Sequence, residues 1–212
     1  MTDRSNTEEP LPVRDPPFDA PDRDPDVSGV LLAAGTSTRF GDENKLLARR
    51  DGDPIVELAA RTLVAAGLDP IVVVVGYEAD RVAEAVSALP VRTVHNPAFE
   101  SGQASSVRTG VRALDDDPDA AVVALGDMPF VDPGTVETLV SAYSCGVGDT
   151  LAAAHDGVRG NPVLFDRRFF GPLTAIDGDV GGRGILLEGN DSALVAVDDP
   201  GVRRDVDDPG DL

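Results

Sequence analysis

The sequence contains one cysteine, no tryptophan and two methionines, and aromatic residues make up only 4% of it. Cys145 cannot close an internal disulfide, and no CxxC partner accompanies it, so a small core or surface role is expected. No apolar run approaches the ~20 residues needed to span a bilayer. The longest runs, such as Val30–Ala34 and Ile71–Val75, have strand length. The first residues, MTDRSNTEEP, lack a basic stretch followed by an apolar one, so no secretory signal is expected and a cytoplasmic protein is the default. Positive charge is the scarcest feature: 18 Lys and Arg against 38 Asp and Glu give 18 − 38 = −20. That field repels phosphate backbones and anionic lipid, so neither nucleic acid nor membrane is an expected partner. Of the 18 basic residues 17 are arginine, and the single lysine is Lys45. An acid-rich, lysine-poor composition suits a salt-saturated cytosol, where high ionic strength screens the self-repulsion. A halophilic protein, weakly stable in dilute buffer, is therefore expected.

The remaining 212-residue inventory, 42% hydrophobic, suffices for one α/β domain. Residues 1–27 hold six prolines, eight acids and three arginines without periodicity, which predicts a disordered acidic tail ahead of a single domain over 28–212. Beyond it, short β-branched runs alternate with amphipathic stretches. Strands are expected over 30–33, 71–75, 91–94, 120–125 and 194–197. Helices are expected over about 54–66, 78–88, 104–114 and 133–143, the first and last opened by Asp53-Pro54 and Asp132-Pro133 as N-cap and N1. The alternation predicts a doubly wound, mostly parallel sheet in three layers, with ligands beyond the carboxyl ends of its strands.

The unusual residues fall at those ends. After the first strand comes Leu32-Ala33-Ala34-Gly35-Thr36-Ser37-Thr38-Arg39, then Phe40 to Lys45. Small residues let the backbone approach a ligand, successive N–H groups can cradle an anion, and Arg39 and Lys45 supply the two positive charges a polyphosphate needs. The segment is neither a P-loop nor GxGxxG; the alternative is a plain glycine turn with incidental basic residues. After the fourth strand, Leu125-Gly126-Asp127-Met128-Pro129 sets an aspartate where it could hold Mg²⁺, although Gly-Asp-x-Pro alone is also an ordinary turn. Asp177-Gly178-Asp179-Val180-Gly181-Gly182-Arg183-Gly184 could supply a second metal ligand or form an acidic loop. The polar run from Asn96 to Ser106 can hydrogen-bond a base edge or a ribose. His95 and His155 lack metal-ligand spacing and read as structural.

Taken in order, LAAGTSTRFGDENKLL (32–47), NPAFESGQASSVRTG (96–110), LGDMPFV (125–131), RGNPVLF (159–165), GDVGGRG (178–184) and DVDDPGDL (205–212) resemble the MobA-like nucleotidyltransferases, most closely the molybdenum cofactor cytidylyltransferases. The resemblance implies a Rossmann-like fold of the nucleotide-diphospho-sugar transferase kind, and nucleotidyl transfer with release of pyrophosphate. It assigns Lys45, Arg39 and Asp127 to catalysis and Mg²⁺ to Asp127 and Asp179. Nucleotide binding falls to Leu32, Ala33, Ala34, Gly35, Arg39, Lys45, Gly102 and Ser106. The Ala33-Ala34-Gly35 corner resembles the cytidylyl branch, which implies CTP as donor, the phosphate of molybdopterin as acceptor and a molybdoenzyme that receives the product. At Asn161 the family pattern has histidine. The closing acidic octapeptide looks by resemblance like an ordered cap. Guanylyl transfer, to molybdopterin or a small phosphorylated acid, and a non-catalytic nucleotide-binding chaperone or regulator are the competing readings.

Overall fold

The computed structural model describes residues 11–19, 21, 23–36, 40, 44–114, 118–178, 182–189 and 191–212. In chain order these form β1 (Val13–Arg14), β2 (Val27–Ala33), β3 (Arg49–Arg50), β4 (Asp53–Pro54), α1 (Ile55–Ala65), β5 (Ile71–Val75), α2 (Ala79–Ala85) and β6 (Arg92–His95). They continue with α3 (Gln103–Arg112), β7 (Ala120–Leu125), α4 (Pro133–Ser144), β8 (Thr150–His155), β9 (Val158–Asp166), α5 (Phe170–Leu173), α6 (Arg183–Glu188) and β10 (Ser192–Ala196). Short 3₁₀ turns lie between several of them.

Eight strands form one sheet in the order β1-β10-β8-β9-β7-β2-β5-β6. All neighbours pair in parallel except at β9, which is antiparallel to both β7 and β8. The β-branched runs are continuous because the sheet is covered on both faces. Along β2, Val27, Leu31 and Ala33 enter a core shared with α1, α2 and α4, while Val30 and Leu32 enter a second core shared with α3, α5 and α6. In β5, Ile71, Val73 and Val75 take the first core and Val72 and Val74 the second, the period of two expected of a strand. The three layers follow, and the mostly parallel, doubly wound sheet is as the sequence predicts.

Three local expectations are corrected. Asp132 caps α4, accepting from the Gly134 N–H at 2.7 Å, but Asp53 does not cap α1. Asp53 and Pro54 instead form β4 against β3, and the Asp53 carboxylate pairs with Arg61 at 2.5 Å. The strands β8 and β9 are absent from the predicted pattern. Thr150–His155 is half alanine, and Gly160-Asn161-Pro162 interrupts Val158–Asp166 with residues that read as a loop. The register shift between Ala152 and Ala154 shows how proline is accommodated, at an irregularity of the ladder. Finally, Val13–Arg14, expected within a disordered tail, pairs with Leu194–Val195. Without β1, strand β10 would end the sheet with unpaired backbone groups; the Leu194 N–H reaches the Pro12 carbonyl at 2.9 Å. Phe18 packs on the first core, and Arg23 stacks on the Tyr143 ring at 3.8 Å. No helix among the described residues is long and apolar enough to cross a membrane.

Candidate active site

From β2 the chain builds β5 and β6 on one side and then crosses to β7 on the other, so the strand order reverses at β2. In an open α/β sheet the crevice forms beyond the carboxyl ends of the strands at such a point. A cavity of about 810 Å³ lies there. Leu32, Ala34, Gly35 and Thr36 reach it from β2, Leu125 and Asp127 from β7, and Gly102, Gln103 and Ser106 from the start of α3. Lys45, Tyr77, Phe99 and Glu100 complete most of its wall.

Local sequence explains how these groups converge. Gly76, directly after β5, is needed for close approach: a Cβ there would lie 2.6 Å from the Phe99 Cβ and 2.8 Å from the Ala34 Cβ. The Gly126 N–H donates to the Leu32 carbonyl at 2.9 Å, which binds the Gly-Asp turn to the end of β2. Asn44 is buried and caps the turn Lys45–Leu47, its Oδ1 accepting from the Leu46 N–H at 3.0 Å. With Leu46 buried in the core, the backbone of Lys45 is fixed while its side chain faces the cavity.

Lys45 is the electrostatic centre. Its Nζ lies 2.7 Å from Asp127 Oδ2 and 3.2 Å from Asp207 Oδ1. The lysine side chain is 15% exposed, the two carboxylates 23% and 42%, so the cluster opens toward solvent at its acidic end. Burial works to lower the lysine pKa, but the charges and hydrogen bonds of Asp127 and Asp207 outweigh it and leave it raised. Asp207 comes from the closing segment, which is ordered: Val206 is fully buried and its N–H donates to the Asp127 carbonyl at 2.8 Å. The Asp211 carboxylate accepts from the N–H groups of Asp207 and Asp208 at 2.9 Å each, which holds its pKa below the usual carboxylate value.

On the opposite wall, Asn96 is 1% exposed and organises two serines. Its Nδ2 donates to Ser105 Oγ at 2.8 Å and to Ser106 Oγ at 3.1 Å, while its Oδ1 accepts from the Ala98 N–H. Ser105 spends its proton on the Ala98 and Gly102 carbonyls. Ser106 has no such acceptor among the described residues, so its hydroxyl proton is available to the cavity that it lines.

Of the residues singled out from sequence, Leu32, Ala34, Gly35, Lys45, Gly102, Ser106 and Asp127 meet at this cavity. Ala33 is buried beneath it, its side chain turned into the first core. Arg39 and Asp179 lie outside the described residues. Near Asp179, the Gly178 carbonyl accepts from the Ala104 N–H at 3.0 Å and Asp177 pairs with Arg108 at 2.6 Å, so this loop runs against the start of α3. Sequence reasoning missed Asn44 and Asp207 as site residues, and it read Asn96 as a ligand contact where its amide holds Ser105 and Ser106. Asp207 was hidden by abundance, one aspartate among 38 acids, and its signals were its place in the closing octapeptide and the Asp-Pro-Gly-Asp turn that follows it. His95 and His155 do not line the cavity; His155 Nδ1 instead lies 3.1 Å from the Val197 carbonyl oxygen.

A family model described as the MobA-like NTP transferase domain matches residues 29–201. The chain belongs to the MobA-like NTP transferase family. Among its relatives, nicotine blue oxidoreductase of Paenarthrobacter nicotinovorans is 32% identical over 77% of this chain and 83% of that protein. Purine catabolism protein PucB of Bacillus subtilis is 30% identical over 88% of this chain and 94% of its own length. A nucleotidyl transferase from Methanothermobacter thermautotroptrophicus superposes with a TM-score of 0.75 at 25% identity, covering 87% of this chain and 93% of that one. The family and its fold support nucleotidyl transfer as the activity, and a nucleoside triphosphate is the substrate class that goes with them.

Proposed function

We propose that the protein moves CMP from CTP onto the phosphate of a small-molecule acceptor, molybdopterin, with Mg²⁺ and with release of pyrophosphate. The observation that carries the reading is Lys45 held between Asp127 and Asp207 on the wall of the large cavity. One ammonium and two carboxylates sum to −1, so a polyanion needs an added cation to approach them. Carboxylate oxygens that open to solvent are the donors Mg²⁺ prefers, and Asp127 and Asp207 fit it. Asp179, the ligand expected from sequence, is the alternative partner of Asp127. Bound there, the metal would supply Lewis-acid stabilisation of charge on the phosphates.

The chain's own groups do the remainder. An oxygen of the acceptor phosphate attacks the α-phosphorus in line; that P–O bond forms as the bridging bond to the β-phosphate breaks, and pyrophosphate leaves with the electron pair. Lys45 offers its ammonium to the charge that develops on the phosphate oxygens, with Arg39 as its expected partner from the same loop. No side-chain nucleophile is required. Ser106 presents a donor, which suits the O2 and N3 acceptors of cytosine, and the methyl of Ala34 narrows the corner in favour of a pyrimidine.

Guanylyl transfer has one observation in its favour. The Glu100 carboxylate also lines the cavity and could accept from the N–H groups of a guanine edge. A thermal-shift panel in molar KCl separates the readings, with CTP, GTP, ATP and UTP each tested with and without Mg²⁺. A stabilisation by CTP that requires Mg²⁺ is expected by linkage. A GTP-selective shift moves the protein to guanylyl transfer, and no shift with any nucleotide overturns both.

A further inference from the structure

Beside the large cavity lies a second one of about 370 Å³, and the two share Leu32, Gln103 and Leu125 as their common wall. Its floor is apolar, with Val123 and Val163 from the sheet, Phe165 from β9 and Leu186 from α6. Its charge comes from two arginines, Arg159 on β9 and Arg183 at the start of α6. The two elements come close at Gly182: a Cβ there would lie 2.6 Å from the Phe165 ring, so a larger residue would have to push that ring aside.

What distinguishes this pair is its lack of acids among the described residues, in a chain that has two for every base. Other arginines find carboxylates: Arg61 pairs with Asp53 and Glu57, Arg81 with Glu78, and Arg108 with Asp177. Among the described residues Arg159 and Arg183 make no hydrogen bond and no ion pair, and no acid lines their cavity. Burial, together with the neighbouring Arg183 charge, pushes the Arg159 guanidinium below the usual arginine range. Two like charges held together beside an apolar floor repel, and a ligand with a matching anionic group would relieve that repulsion through charge-assisted hydrogen bonds.

Neither arginine lines the large cavity, and neither Lys45 nor Asp127 lines the small one. An acceptor phosphate that attacks beside Lys45 therefore does not occupy the arginine pair. We propose that Arg159 and Arg183 bind a second anionic group of the acceptor, so that the acceptor class is a compound with two separated anionic groups. This rests on the nucleotidyl-transfer reading above for the identity of the neighbouring site.

The test uses two probes on the full chain in chloride buffer, with CTP and Mg²⁺ present: phenyl phosphate, with one anionic group, and 4-carboxyphenyl phosphate, with two. Titration calorimetry is expected to show about tenfold tighter binding of the second probe, the effect of one charge-assisted contact. In Arg159→Gln and Arg183→Gln that preference should fall to within about twofold, with phenyl phosphate and CTP binding unchanged. Neither arginine makes a hydrogen bond or an ion pair with another described residue, so the variants should keep the parent's melting temperature. Equal binding of the probes to the parent, or a preference that survives both substitutions, overturns the proposal. If CTP does not bind but the preference is present and is lost in the variants, the anion site stands and the nucleotide reading falls.

Discussion

The two cavities along the carboxyl edge of the sheet carry their positive charge in opposite ways. In the larger, one lysine lies between two carboxylates at 2.7 and 3.2 Å. In the smaller, two arginines stand with no acid among the described residues of the wall. A site whose cation is already neutralised accepts a polyanion only if more positive charge arrives with it. A site whose cations are bare accepts an anion directly. In a chain of net charge −20, the proposed readings turn on that difference: a nucleotide that comes with a metal in the larger cavity, and an anion that comes without one in the smaller.

The largest effect is expected from removing the lysine. Lys45→Ala should lower pyrophosphate release from CTP by about 10²–10³-fold, the cost of losing one group that stabilises developing charge. Binding of 4-carboxyphenyl phosphate should stay as in the parent, and a parallel loss there would break the comparison. Next comes Gly76→Ala, which sets a methyl 2.6 Å from the Phe99 Cβ. Overpacking should cost about 1–3 kcal/mol in chemical denaturation and weaken CTP more than the anion probes. A variant with parent-like stability and CTP affinity would show that the wall at Phe99 yields freely. Asp207→Asn leaves the Lys45–Asp127 pair in place and removes one hard donor. A rise of about tenfold in the Mg²⁺ concentration for half-maximal turnover is expected, on the scale of one lost charged contact. Asp179→Asn is the control: if it shifts Mg²⁺ demand and Asp207→Asn does not, the metal belongs to the glycine-rich loop.

The smallest effect is one of pH. Two backbone N–H groups keep the Asp211 carboxyl below the usual carboxylate range. Its contribution to the closing cap is therefore complete above the unfolded value of about 3.9 and is lost as pH falls through the lower folded value. Acid unfolding followed by circular dichroism should show a stability difference between the parent and Asp211→Asn near pH 7 that closes below about pH 4. A difference that persists undiminished at lower pH would assign it to packing.

The same contrast explains what could be read from sequence. Strands buried on both faces, such as Ile71–Val75, announce themselves by composition, and the expected span matches the observed one. The first-cavity residues were legible because they directly follow such strands. The strand β9 was not, because its glycine, asparagine and proline mimic a loop, and Arg159 lies within it. Asn96 could be seen as polar, but its role depends on two serines 9 and 10 positions away that only the turn into α3 brings to its amide. Charge pairing is least legible of all. Most loops carry aspartate, and tertiary structure alone decides which arginines are answered and which are left facing one another.

Lys45 and Asp207 are 162 positions apart. A ribosome that adds about 5–20 residues per second makes the lysine on the order of ten seconds before its second carboxylate exists. For the first 127 − 45 = 82 of those positions neither acidic donor exists, and for the remaining 80 only Asp127 does, so the trio carries a more positive charge than in the finished protein. Nucleotide captured early would therefore meet a different electrostatic balance, and the competence of the site is timed by translation as well as by folding.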